Sequence, residues 1–252
     1  MLEYRHVSVS CGRSPILNDI TVTFPRGKIT AIIGPNGCGK TTLLQCLNGV
    51  SRVTDGQILL DGKDYLSLSI KERAQRLSFL PQVRTVIPSL PVKTLVEHGR
   101  FPHLGFSRRK TKEDIALVQK SMEFANVSEF AEQYTDTLSG GIRQRVFFAM
   151  TLAQDCDVIV LDEPATYLDL RSQMEFLDML KTLRLQGKTI ILTLHDLNHA
   201  IRISDFLVVM DERKIAACAT PDKCLDQKVI EKVFRIGLKR FEDKDGAYYF
   251  FG

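Results

Sequence analysis

Three short segments of this sequence carry residue types suited to handling phosphate. The first, Gly34-Pro35-Asn36-Gly37-Cys38-Gly39-Lys40-Thr41, followed by Thr42, fits the phosphate-binding P-loop pattern. Its glycines let successive backbone N–H groups turn inward around phosphate oxygens, and the helix that follows adds its favourable dipole. Lys40 is then expected to reach the β- and γ-phosphates of a nucleotide, and the Thr41 hydroxyl to ligate magnesium. The second segment, Val158-Ile159-Val160-Leu161-Asp162-Glu163, ends an apolar run in two acids. A carboxylate at the C-terminal end of a buried strand can hold magnesium opposite a P-loop. Asp162 takes that place by position, and Glu163, on a different bearing, can polarise an attacking water. The third, Leu138-Ser139-Gly140-Gly141-Ile142-Arg143-Gln144, opens a helical pattern and exposes N–H donors at a second anion-binding helix start. One chain rarely needs two phosphate cradles for one nucleotide. The economical arrangement is a pair of chains, each capping the other's ATP.

These segments need elements to hold them. Ile29-Thr30-Ala31-Ile32-Ile33 reads as a strand running into the glycine loop, and Thr41 to Asn48 as the helix after it. Residues 1 to 62 otherwise read as short alternating strands, with Ile20, Val22 and Phe24 on one face and turns at Asp55-Gly56 and Asp61-Gly62. From about Pro88 to Gln154 the pattern is helical: Ile115, Val118, Met122 and Ala125 recur at helix spacing, and Thr111 with Asp114 forms a capping-box-like start. Beyond it, Val158–Leu161 and Thr189–Leu194 are continuous apolar runs. They flank an amphipathic helix carrying Leu170, Met174, Leu177, Leu180 and Leu183. Strands buried on both faces and joined by a helix predict a parallel α/β sheet. Phe241 to Phe251, with Asp245-Gly246 at its turn, reads as a closing hairpin.

Composition narrows the function classes. With 34 basic and 30 acidic residues the formal charge is +4, and the only basic run is Arg108-Arg109-Lys110, so a nucleic-acid partner is not expected. The six cysteines, Cys11, Cys38, Cys46, Cys156, Cys218 and Cys224, form no CxxC pair, which predicts neither zinc nor a disulfide framework. No stretch approaches the roughly eighteen apolar residues of a membrane span. Service to a membrane would therefore run through a partner.

In this order and spacing, the P-loop, Leu138-Ser139-Gly140-Gly141 and Asp162-Glu163-Pro164 resemble an ABC ATPase over essentially the whole chain. The resemblance implies a P-loop NTPase (RecA-like) α/β core with an antiparallel β subdomain and an inserted α-helical subdomain. The chain is then one domain, 1–252, divided into 1–87 with 156–252 for the core and β subdomain, and 88–155 for the helical one. It further implies that Gln82 contacts magnesium and the membrane partner, and that His195 contacts the γ-phosphate. Asp169 would lie in a loop crossing the dimer interface, and Ser139, Gly140, Gly141 and Gln144 would meet the partner's nucleotide. The cofactors implied are ATP and Mg2+. The partners are a second copy of the chain, two membrane permease subunits and, indirectly, a substrate-binding protein, at the cytoplasmic face of the cell membrane. Arg84, Val86, Ile87 and Pro88 fall where such a permease docks. Gly99-Arg100-Phe101-Pro102-His103, Thr166-Tyr167-Leu168-Asp169 and His195 to Ala200 look like those of iron-chelate, haem and cobalamin importers. The alternatives are a free metal-ion transporter and a soluble ABC ATPase of cofactor assembly. The sequence departs from the family at Cys11, where an aromatic usually stacks on adenine. It departs again at Arg213 and Ala219, where glycines are common and altered turns are expected.

Overall fold

The structure, a computed structural model, describes residues 1–12, 14–82, 89–105, 109–243 and 246–252. Along the chain run β1 (Leu2–Cys11), β2 (Ser14–Phe24), β3 (Ile29–Ile33), α1 (Lys40–Asn48), β4 (Asp55–Leu60), β5 (Lys63–Asp64), α2 (Ile70–Ala74) and β6 (Leu77–Leu80). There follow α3 (Val92–Glu97), α4 (Lys112–Phe124), α5 (Gly140–Ala153), β7 (Val158–Leu161), α6 (Leu170–Leu185), β8 (Thr189–Thr193) and α7 (Leu197–Ile203). The chain closes with β9 (Phe206–Asp211), β10 (Lys214–Ala219), α8 (Pro221–Asp226), α9 (Val229–Phe234), β11 (Leu238–Asp243) and β12 (Gly246–Phe251). Two compact units result, one of residues 1–67 with 191–252, the other of residues 68–190.

In the first unit an antiparallel sheet runs β2-β1-β4-β5. Its alternation is the one expected, with Ile20, Val22 and Phe24 buried and Thr21 and Thr23 exposed. The strands are longer than the sequence suggested, β1 covering ten residues and β2 eleven. Asp55-Gly56 is not a turn. It lies inside β4, where the pairing to β1 shifts between Arg5 and Ser8. Gly56 takes φ +80, and a Cβ there would sit 2.2 Å from the His6 carbonyl oxygen, so the bulge admits only glycine. Asp61-Gly62 is a turn, both residues at positive φ. Tyr4, edge-on to Phe24 at 5.9 Å between ring centres, donates its hydroxyl to the Leu43 carbonyl at 2.8 Å and so pins the sheet to α1.

The same unit holds the strand that leads into the glycine loop. β3 is buried at every residue and pairs in parallel with β9, Thr30 opposite Phe206 and Ile33 opposite Val209. β10 returns antiparallel to β9 through Glu212 and Arg213, at φ 42 and 69. Arg213, one of the two positions where glycine is common, thus takes a left-handed backbone, a conformation that costs a non-glycine residue more; Ala219 ends β10. β11 and β12 pair as the expected hairpin, Leu238 opposite Phe251; its turn residue Asp245 lies outside the described residues.

In the second unit β6 and β7 pair in parallel, Leu77 opposite Val158 and Leu80 opposite Leu161, and β7 is fully buried. α4 starts with the expected capping box, the Thr111 side chain and Asp114 exchanging hydrogen bonds with each other's backbone. Val118, Met122 and Ala125 face inward, but Ile115 is exposed, since the buried stripe of this helix begins at Asp114. On α6, Leu177, Leu180 and Leu183 are buried and Met174 is partly so, whereas Leu170 is exposed. Phe176, absent from the predicted stripe, packs on Phe148 of α5 with ring centres 4.6 Å apart.

A buried ion pair ties this unit's helices together. Arg100 Nε donates to Asp114 Oδ1 at 2.9 Å, and its Nη1 to the Ala153 carbonyl at 2.8 Å. The Thr111 backbone N–H, then the Arg100 guanidinium and the Thr111 hydroxyl, draw the Asp114 carboxyl down to about 2. Removing one partner of a buried pair typically costs about 3–5 kcal/mol, so Asp114→Ala is expected to lower urea-unfolding stability by roughly that amount at pH 7. The stability from this carboxylate is complete above its unfolded pKa of roughly 3.9. It is lost as pH falls through the folded value of about 2, so wild type and variant should converge across that window. A difference that does not shrink with acid would remove the carboxylate's charge from the explanation.

Candidate functional site

The glycine loop is shaped by what stands behind it. At the end of β3, a Cβ on Gly34 would lie 2.3 Å from the Met210 carbonyl oxygen and 2.8 Å from Cys38 Sγ. At Gly39, which caps α1 at φ 106, a Cβ would lie 2.6 Å from Leu17 of β2. Gly34 is therefore required by the close approach of β9, and Gly39 by its left-handed backbone. Lys40 is buried and bends over its own loop, its Nζ donating to the carbonyls of Gly34 at 2.7 Å and Pro35 at 3.1 Å. Asn36 and Gly37 are exposed at the tip, while Thr41 and Thr42 are partly buried on the first turn of α1. Cys38 is buried, and that burial pushes its thiol up, which makes it a poor nucleophile.

His195 is exposed between β8 and α7, immediately after Leu194, whose N–H reaches the Ile32 carbonyl at 3.5 Å. It thus lies at the same end of its unit as the start of the glycine loop. Asp196 caps α7, its side chain accepting from the His199 N–H at 2.9 Å. Cys11 ends β1; its side chain, and Arg84, Val86, Ile87 and Pro88, lie outside the described residues.

In the second unit the two parallel strands deliver their acids and amide together. The Asp162 N–H donates to the Leu80 carbonyl at 2.9 Å, carrying the β6–β7 pairing one step beyond the strands. Gln82, two residues further on its own chain, donates Nε2 to Glu163 Oε2 at 2.5 Å. A carboxylate only accepts, so this contact fixes the amide with its nitrogen toward Glu163 and leaves its oxygen available to a cation. Asp162 is 2% exposed and Glu163 partly buried. Within this unit the Asp162 carboxylate and the Gln82 amide oxygen are hard oxygen donors, of the kind magnesium takes. Among the described residues no group of three or more His, Cys, Asp or Glu side chains could hold a metal.

Glu163 has φ 49, a left-handed backbone that costs a non-glycine residue on the order of 1–3 kcal/mol. The loop after it is held by side-chain donors: Thr166 Oγ1 to the Glu163 carbonyl at 3.1 Å, Gln144 Nε2 to that of Pro164 at 3.1 Å, and Gln173 Nε2 to that of Leu168 at 3.0 Å. Gln144 is accordingly buried within its own unit. Neither Thr166 nor Gln173 was picked out as a contributor to this site by sequence reasoning. The three-residue step from Glu163 to Thr166 is a hydroxyl-turn spacing that could have shown the first, and nothing local marks the second.

Asp169 accepts from the Ser172 N–H at 2.8 Å and caps α6, which also lowers its carboxyl below the ordinary range. Ser139 caps α5, accepting from the Ile142 N–H at 3.4 Å, and is exposed. Gly140 and Gly141 follow in the first turn, and Cβ atoms there would make only ordinary contacts, 3.8 Å to Tyr167 and 3.5 Å to Leu168. Neither residue is required to be glycine by its own unit. The Gly99–His103 segment proves structural: a Cβ at Gly99 would meet the Met150 carbonyl at 2.2 Å, Arg100 makes the buried pair above, and His103 Nε2 lies 2.8 Å from the Gln154 carbonyl.

A family model described as ABC transporter matches residues 17–166. The chain is 40% identical over 236 residues, 93% of its length and 86% of the relative's, to the petrobactin import ATP-binding protein FpuD of Bacillus anthracis. It is 38% identical to the iron(3+)-hydroxamate import ATP-binding protein FhuC of Bacillus subtilis, over 96% of this chain and 90% of that one. Among solved structures, a bacterial ABC transporter cassette determined as a dimer superposes with a TM-score of 0.79 at 25% identity, covering 88% of this chain and 99% of that chain.

Because Gly141 makes no contact that excludes a methyl group, and alanine is favoured over glycine in a helix by up to about 1 kcal/mol, Gly141→Ala should leave the urea midpoint unchanged or raise it. A clear loss of stability would show that the fold itself demands this glycine.

Proposed function

The chain belongs to the ABC transporter family, whose ATP-binding subunits hydrolyse ATP to drive transport, and from that premise we propose that it powers uptake of an iron chelate through a membrane permease. The observation that carries the catalytic part is the Gln82–Glu163 hydrogen bond at the ends of adjacent parallel strands, next to buried Asp162. Two strands pairing in register bring an amide and two acidic residues to one edge, an arrangement that supports water activation beside a magnesium–phosphate group.

In this reading Gly34 to Thr42 wrap the phosphates of ATP. Lys40 exchanges its two carbonyl partners for β- and γ-phosphate oxygens, a charge-assisted bond stronger than those it leaves. Thr41, Asp162 and Gln82 would hold Mg2+, which when bound neutralises the charge gathering on the transferred phosphoryl oxygens. Glu163 orients and polarises the attacking water, and His195 donates to the γ-phosphate. Ser139, Gly140, Gly141 and Gln144 meet the nucleotide of a second copy of the chain, with Asp169 at the interface between copies. The two glycines that their own unit does not require support this arrangement, since an approaching phosphate is a reason to keep side chains away. The dimeric related cassette supports it too. Gln144 and Asp169 each carry an intramolecular duty as well, one holding the Pro164 carbonyl and the other capping α6.

Among the described residues no helix is long and apolar enough to cross a membrane. We place the subunit at the cytoplasmic face, on two permease subunits that receive cargo from a binding protein. The cargo class follows the relatives' printed activities, petrobactin and iron(3+)-hydroxamate import.

If Glu163 is the base, Glu163→Gln should keep ATP affinity while hydrolysis falls by roughly 10²- to 10⁴-fold; wild-type turnover in the assembled transporter would remove it from the role. For the cargo, deleting the gene should abolish uptake of labelled iron chelates. Haem, cobalamin, free manganese and free zinc measured in parallel decide the matter, since loss confined to a free metal would overturn the cargo class and leave the ATPase reading intact.

A further inference from the structure

Glu163 occupies a backbone conformation that its residue type resists, at φ 49. Whatever holds it there also sets where its carboxylate points. Thr166 contacts the peptide unit leaving Glu163 twice. Its N–H reaches the Glu163 carbonyl at 3.4 Å and its Oγ1 donates to the same oxygen at 3.1 Å. The same hydroxyl oxygen lies 3.4 Å from Glu163 Oε2, the carboxylate oxygen that receives the Gln82 amide. Thr166 thus meets both ends of the residue, the main-chain carbonyl that fixes the left-handed turn and the side-chain oxygen that acts.

We infer that Thr166 is a positioning residue for the Glu163 carboxylate, its hydroxyl latching the strained turn so that Glu163 Oε2 stays beside Gln82. The inference rests on the reading of Glu163 as the catalytic base. Thr166 is exposed and caps no helix, so the hydroxyl serves this turn and not a buried core. The neighbouring carbonyls of Pro164 and Leu168 are held by glutamine amides from α5 and α6. Those donors hold carbonyls further along the loop, whereas the Thr166 hydroxyl acts on the first peptide. A serine would supply the same hydroxyl at the same spacing; a valine would fill the same space without it.

The test uses purified full-length chain reconstituted with its permease, comparing Thr166→Val, Thr166→Ser and wild type, each also in a Glu163→Gln background. Loss of a hydrogen-bonded group that positions a charged base corresponds to about a tenfold loss in kcat. Thr166→Val is therefore expected to lower kcat by about that factor with KM for ATP unchanged, and Thr166→Ser to restore most of it. In the Glu163→Gln background Thr166→Val should add no further loss, because the group it positions is gone. Wild-type kcat in Thr166→Val overturns the inference. So does an equal loss in both backgrounds, which would make the effect structural, and so does a loss that serine does not rescue. If Glu163→Gln itself turns over normally, the base assignment fails first, and that outcome is separate from any behaviour of Thr166.

Discussion

The first unit is organised around one point where no side chain fits. β3 ends at Gly34 because the Met210 carbonyl of the neighbouring parallel strand β9 stands where a Cβ would go. A strand buried at every residue can turn sharply only where the crowding is relieved, and glycine relieves it. Cys38 packs back toward the same place, and Lys40 closes the ring by giving its ammonium to the Gly34 and Pro35 carbonyls. Gly39 is held to glycine by its left-handed backbone at φ 106, beside Leu17 of β2. The loop is therefore shaped by strands on two sides before any phosphate reaches it, which is the condition for backbone donors to bind an anion without paying to organise themselves.

The second unit solves a different problem, that of aiming a carboxylate. Its means is pairing: parallel register from Leu77–Val158 to Leu80–Leu161 makes the two chains leave the sheet side by side, and the Asp162 N–H to Leu80 bond extends the match. Beyond that point the backbone leaves regular structure, and its carbonyls need other partners. Thr166, Gln144 and Gln173 provide them from the loop itself and from the helices on either side. Gln144 belongs to the helix opened by Ser139-Gly140-Gly141, so the start of that helix is anchored, one turn later, to the loop that follows Glu163.

How much of this was legible in the sequence depended on whether the signal was local. The P-loop, the capping box at Thr111 and Asp114, the face of Ile20, Val22 and Phe24, and the buried strands β7 and β8 all follow from spacing, because residue type and backbone period suffice to fix them. Membership of the ABC family was readable from the order of three motifs. What the sequence hid was long-range. That Gly56 is a bulge and not a turn depends on β1 crossing at His6, and the left-handed backbone of Arg213 on the hairpin between β9 and β10. The exposure of Ile115 and Leu170, both on helices of the right period, depends on where neighbouring elements stop.

The Gly99–His103 segment shows why resemblance and mechanism have to be argued separately. It was one of the features pointing to iron-chelate importers, yet every contact it makes is internal to its unit. Gly99 gives way to the Met150 carbonyl, Arg100 is spent on Asp114 and Ala153, and His103 lies against the Gln154 carbonyl at the C-terminal end of α5. No side chain in those contacts is placed to recognise cargo. The segment is locked by packing, through a buried ion pair and hydrogen bonds to the Ala153 and Gln154 carbonyls. The cargo class therefore rests on the full-length relatives, whereas the catalytic reading rests on atoms, above all the Gln82 amide at Glu163 Oε2 beside buried Asp162.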